Sequence, residues 1–136
     1  MTRVIKKLSE PRTLLFLGVS YTLFITIASI SPTKDLPAID IPWLDKIAHI
    51  VLYLLLTVIW LSYAYVQKSN SISLKVMLLV LFGCFVYGII IEVIQDRMTS
   101  FRRADTLDVV ANLVGVILGW GMFILTKNRI FPKPGN

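Results

Sequence analysis

The chain has 136 residues, 56% hydrophobic and 16% charged, with a mean hydropathy of +0.75. A chain this short cannot hide so much apolar surface in a water-facing core, which excludes an ordinary soluble domain and makes lipid the solvent. The net charge of +6 lies in short segments flanking the apolar runs, with no basic face interleaved with aromatics; this argues against nucleic acid and fits anionic lipid headgroups.

Crossing a bilayer takes roughly 20 mainly apolar residues, because the hydrocarbon core is about 30 Å thick and a helix rises about 1.5 Å per residue. Four stretches meet that length, predicting an all-α polytopic membrane protein: a single domain, residues 1–136, built as a four-transmembrane-helix bundle. The first span runs from about Thr13 to Ile30. With Lys6 and Lys7 before it and Ala28 and Ser29 at its end, it has some features of a signal peptide. It is long for the apolar region of one and lacks a clean small-x-small cleavage site, so a retained anchor is expected. Pro32, Pro37 and Pro42 then fall between spans, where they break no helix that must satisfy its own backbone in lipid.

The second span is expected from about Asp45 to Val66 and the third from about Leu74 to Gln95. The polar segment between them, Gln67 to Ser73, is short, which makes these two spans antiparallel neighbours. Cys84 is the one cysteine, so no internal disulfide framework and no cysteine-based metal site exist; it is expected simply to pack. The fourth span covers about Asp105 to Thr126. Trp43 at one end of span two, and Trp60, Tyr63 and Tyr65 toward the other, are placed for aromatic belts at the two interfaces.

Orientation follows from the lysine and arginine bias. Arg3, Lys6, Lys7, Arg12, Lys68, Lys75, Lys127, Arg129 and Lys133 fall on one side, and Lys34, Lys46, Arg97, Arg102 and Arg103 on the other. That bias predicts both termini in the cytoplasm. The longest external segment is then about residues 31–44, too short to carry an exported activity.

Under this topology the polar residues of three spans gather in one layer on the external side. Asp45, His49 and Tyr53 stand at i, i+4 and i+8 on one face of span two, with Lys46 beside them. Glu92 and Gln95 close span three. Asp105, Asp108 and Asn112 share one face at the start of span four, preceded by Arg102 and Arg103. A carboxylate facing lipid costs about 2.5–3.5 kcal/mol near the helix centre, so Glu92 must face protein or a water-filled cavity, with Arg102, Lys46 or His49 as partner. Asp45 and Asp105 alone read equally well as helix N-caps. That account does not extend to His49, Glu92 and Asn112, which lie deeper and converge. Gly115 and Gly119 form a G-x-x-x-G on span four; they are expected to hold spans three and four together, or alternatively to mediate dimerisation.

Taken together, D-K-x-x-H-x-x-x-Y (Asp45 to Tyr53), E-x-x-Q (Glu92 to Gln95) and R-x-x-D-x-x-D-x-x-x-N-x-x-G-x-x-x-G (Arg102 to Gly119) resemble the VanZ-like membrane proteins, in the right order and spacing over spans two to four. Span one matches only as a generic anchor. The family takes its name from a protein associated with resistance to teicoplanin, a glycopeptide antibiotic. The resemblance implies a bacterial cytoplasmic membrane location and a link to the cell envelope, and leaves the activity open.

Three functions compete. The first is an envelope protein that binds or modifies a lipid-linked or cell-surface molecule, such as a cell-wall precursor, through the external polar cavity. His49 or Glu92 would be its catalytic acid or base, Lys46 and Arg102 its phosphate ligands, and Asp45, Tyr53, Gln95, Asp105, Asp108 and Asn112 further ligand contacts. The second is a non-enzymatic scaffold whose polar layer only joins helices. The third is a transporter subunit, which would need oligomerisation because polar groups at one end give a monomer no continuous pathway. His49 with Glu92 and an aspartate could ligate a metal, but one histidine and no cysteine cluster argue against a closed zinc site; no cofactor is expected.

Overall fold

The computed structural model describes residues 10–31, 43–98 and 105–131. Four helices account for nearly all of them: α1 (Pro11–Ile30), α2 (Leu44–Gln67), α3 (Leu74–Met98) and α4 (Thr106–Ile130). Each is long and apolar enough to cross a membrane and starts or stops within a few residues of the limits expected from hydropathy.

Local chemistry explains several of the ends. Pro11 occupies the first turn of α1, where its missing N–H costs nothing. Ser69 and Asn70 adopt left-handed backbone between α2 and α3, and Ser73 Oγ accepts from the Val76 N–H at 3.3 Å. The Asp105 side chain caps α4 by accepting from the Leu107 N–H at 2.9 Å. Lys127 and Arg129 stand in the last turn of the same helix, at its negative dipole end.

Helices α2 and α4 form the close-packed centre. At Gly115 an added Cβ would lie 2.5 Å from the Ile50 carbonyl oxygen, and at Gly119 2.6 Å from that of Leu54. The G-x-x-x-G stripe is therefore spent on α2, which corrects the expectation that it joins spans three and four. Both glycines are buried inside the chain, so they offer no face to a second copy.

Around this seam the apolar contacts form two clusters. Ile25, Tyr53, Leu56, Cys84 and Val116 fill the half toward the α2 N-terminus. Leu14, Leu61, Tyr65, Phe123 and Phe131 fill the opposite end. Tyr65 is buried against the Phe123 and Phe131 rings, a correction to its assignment to an interfacial belt: it lies on the face of α2 that α4 covers. Trp43, 65% exposed, is free to serve as such an anchor. Leu125 and Phe16, 79% and 71% exposed, show the outward apolar surface that lipid covers.

Helix α1 is tied on by polar contacts. Tyr87 Oη donates to the Thr22 carbonyl at 2.9 Å and pairs with Thr26 Oγ1 at 2.8 Å, and Trp60 Nε1 donates to Thr22 Oγ1 at 3.2 Å. Side-chain hydrogen bonds of this kind join helices where apolar burial gives little drive for association.

Candidate functional site

The N-termini of α2 and α4 and the C-termini of α1 and α3 meet at one end of the bundle, and the polar residues of the spans meet with them. The outermost feature is centred on Lys46. Its ammonium donates to Asp45 Oδ2 at 2.8 Å, to Asp105 Oδ2 at 2.5 Å and to Asp108 Oδ1 at 2.5 Å. An ammonium has three N–H donors, and three carboxylates take them. Lys46 is thus not available as the phosphate ligand expected from the sequence; its charge is spent joining α2 to α4.

The Asp105 carboxylate is held below the usual aspartate range, first by the Lys46 hydrogen bond and then by the Leu107 N–H. A depressed carboxyl adds stability above its unfolded midpoint, about 3.9, and loses it as pH falls through the folded one. Carbon-detected titration of Asp105 should therefore give a midpoint below about 3.9 in the native chain. In Lys46→Met the midpoint should move up toward that value. An unchanged midpoint would remove Lys46 as the cause.

Beneath Lys46 sits His49, 8% exposed. Its Nδ1 lies 2.9 Å from Asn112 Oδ1 and 3.6 Å from Glu92 Oε1, and its Nε2 lies 3.9 Å from Asp108 Oδ2. An amide oxygen only accepts, so Nδ1 donates to it, and in the neutral imidazole the lone pair is then on Nε2. Asp108 has one oxygen on Lys46 and turns the other toward His49. One ligand atom from each of His49, Glu92 and Asp108 lies within 4.8 Å of the others, one residue from each of α2, α3 and α4. Of the partners expected for Glu92, His49 lies at this distance and Arg102 falls outside the described residues.

One turn deeper on α2, Tyr53 is 1% exposed, and Asn112 on α4 is fully buried. Both flank Gly88, where an added Cβ would lie 3.0 Å from the Tyr53 ring and 3.1 Å from Asn112 Nδ2. Tyr53 Oη and Asn112 Nδ2 have no hydrogen-bond partner among the described residues. Two buried donors in that condition call for an oxygen acceptor.

Gln95 stands slightly aside. Its Nε2 donates to the Ser29 carbonyl at 3.1 Å, which closes the end of α1 over the site. Gln95, Ser29, Asp45 and His49 line a cavity of about 100 Å³ between α1, α2 and α3. Deeper along the same three helices lies an apolar groove of about 290 Å³ lined by Thr22, Leu56, Trp60, Gly83, Cys84 and Tyr87.

Asp45, Lys46, His49, Tyr53, Glu92, Gln95, Asp105, Asp108 and Asn112 thus fall at one end of the bundle, while Arg102 and Arg103 lie outside the described residues. The contribution of α1 is what sequence reasoning missed: Thr22, Thr26 and Ser29 all bond across to other helices. Their i, i+4, i+7 spacing on an otherwise apolar span was the available signal.

The chain is 30% identical over 112 residues to an uncharacterized protein of Schizosaccharomyces pombe, covering 82% of this chain and 66% of that one. It therefore spans just under two thirds of that relative's length. No solved structure matches. A VanZ/LLP1 family profile matches residues 2–127, nearly the whole bundle and all the described polar residues at its end, and the chain belongs to that family.

Proposed function

We propose that this protein binds, and through His49 and Glu92 modifies, the polar head of a lipid-linked or cell-surface molecule at the external face of a bacterial cytoplasmic membrane. The observation that carries the reading is the stacking of two cavities in one three-helix seam. The polar one, beside His49 and Gln95, sits at the bundle end, and the apolar groove beside Leu56 and Trp60 sits deeper. A ligand with a polar head and an acyl or prenyl tail matches that order of environments. The lysine and arginine bias supports an external site with both termini inside, and the teicoplanin association of the family's namesake supports an envelope role.

In this reading His49 Nε2 is the proton acceptor, held in its tautomer by Asn112, and Glu92 is the second acid–base group. Asp45 and Gln95 line the approach. Native mass spectrometry of the chain extracted with its own lipids tests it. The wild type should carry a lipid-linked species that Glu92→Gln and His49→Ala lose by about tenfold or more while their melting temperatures hold, the loss expected for a ligand whose polar contacts are removed. Gly83→Leu, which fills the groove from a position with no atom within 4 Å of an added Cβ, should weaken binding of long-tailed species and spare the polar pocket. Identical lipid content in all four proteins would refute the reading.

The scaffold alternative is favoured by one contact, the Gln95 bond to the Ser29 carbonyl. It requires Glu92→Gln to lower the melting temperature with no separate loss of binding.

A further inference from the structure

We propose that His49, Glu92 and Asp108 form a binding site for one first-row divalent cation, with zinc and manganese the best fit. This rests on the reading above for the identity of the pocket as a ligand site and keeps its binding part alone: with the ion bound, His49 and Glu92 serve as ligands and no longer as an acid–base pair.

Geometry comes first. The three candidate ligand atoms come from three different helices and already lie within 4.8 Å of one another. Bonds of about 2.0–2.2 Å to a shared ion bring ligand atoms to roughly 3–3.5 Å apart. The imidazole is also arranged as metal ligands usually are. One nitrogen is fixed by a buried amide oxygen at 2.9 Å, leaving the other's lone pair toward Asp108.

Charge points the same way. Among the described residues, Asp45, Asp105 and Asp108 share a single ammonium, Lys46, whose donors are all engaged. Three carboxylates on one ammonium leave an excess of negative charge, among the described residues, for an anionic head to meet. A divalent ion removes most of that excess and gives a phosphate or carboxylate a positive centre to hold. The mixed nitrogen and oxygen donor set suits zinc or manganese better than magnesium, which prefers oxygen alone.

An independent observation is the pair of buried donors beside the trio. Asn112, fully buried, and Tyr53 each present a polar atom without a partner among the described residues, across Gly88 and one turn from Glu92. An oxygen bound to the ion, from water or from a phosphate, is the acceptor they lack.

The test uses the full chain, free of any histidine tag, in detergent, stripped with chelator and with no lipid ligand added. Zinc and manganese are titrated separately by calorimetry. One ion per chain should bind saturably, and Glu92→Gln and Asp108→Asn should each weaken it by about a hundredfold or more, beyond the 10–100-fold typical of outer-shell changes. Because the chain has one histidine, nitrogen-15 histidine labelling of the wild type gives a readout that needs no variant to fold: zinc must shift a ring nitrogen of that single imidazole. No one-to-one binding, unchanged affinity in both variants, or an unmoved imidazole signal would each overturn the site. Since the ion is read without lipid, failure of the lipid experiment leaves it standing, and failure of ion binding overturns it whatever the lipid result.

Discussion

Gly115→Ala is expected to be the most damaging single-methyl change in the chain, destabilising the bundle by about 3 kcal/mol or more, the upper range for overpacking a filled interface. The new Cβ would sit 2.5 Å from the Ile50 carbonyl oxygen, 3.0 Å from Tyr53 Cβ and 3.1 Å from the Leu54 amide nitrogen. Two of those atoms are backbone of a neighbouring helix, so no rotamer change relieves the contact and α2 must move off α4. Gly119→Ala meets the Leu54 carbonyl at 2.6 Å and the Thr57 side chain at 2.9 Å, and should behave alike. Gly121→Ala, with nothing within 4 Å, is the control and should be neutral or slightly stabilising, since alanine favours helix by about 0.5–1 kcal/mol over glycine. Thermal unfolding in detergent, read by size-exclusion of the heated protein, separates them. Equal melting of Gly115→Ala and Gly121→Ala would show that the α2–α4 seam is wider than described. The consequence reaches the site, because Ile50 and Tyr53 flank His49 on α2 and Asn112 is on α4: parting the seam parts His49 from Asn112.

Lys46→Met should cost about 2–4 kcal/mol, through one of its three partners above all. Asp45 and Asp105 have side chains 52% and 42% exposed, so water screens the loss of their ion pairs. Asp108 is 15% exposed with one oxygen on Lys46, and removing the cation leaves a largely buried carboxylate uncompensated, the situation in which broken pairs cost about 3–5 kcal/mol when burial is complete. Lys46→Met with Asp108→Asn should therefore recover a large part of the loss, and a double-mutant cycle should give a coupling of about 1–3 kcal/mol between the two positions. Lys46→Arg should rescue only in part, because a planar guanidinium cannot direct three donors at three carboxylates as an ammonium does. A cycle with no coupling would mean that the Lys46–Asp108 contact contributes nothing to holding α2 on α4.

How much of the site was legible beforehand differs from residue to residue. Asp45, His49 and Tyr53 share a helix face by spacing alone, as do Asp108 and Asn112, because 3.6 residues per turn is a property of the helix. The need for Glu92 to face inward was also legible, since lipid rejects a carboxylate wherever the helix later packs. The role of Lys46 was not. A lysine beside an aspartate reads as a phosphate ligand until the turn entering α4 brings Asp105 and Asp108 onto the same ammonium. Tyr65 was misplaced for a related reason: hydropathy locates a residue along the membrane normal, and only the partner helix decides whether it faces lipid or Phe123.

Sequence by itself determined the solvent, the four spans and the gathering of polar groups at one end, because each depends on local length, periodicity and the free energy of transfer into hydrocarbon. Tertiary structure decided which helix the glycine stripe meets, which charges neutralise one another and which atoms are left facing His49. Those outcomes depend on rotation and pairing of helices that lipid solvates equally well on every apolar face. Contacts a few ångströms long, such as Gly115 on Ile50 and Lys46 on Asp108, select among the arrangements that hydropathy leaves equal.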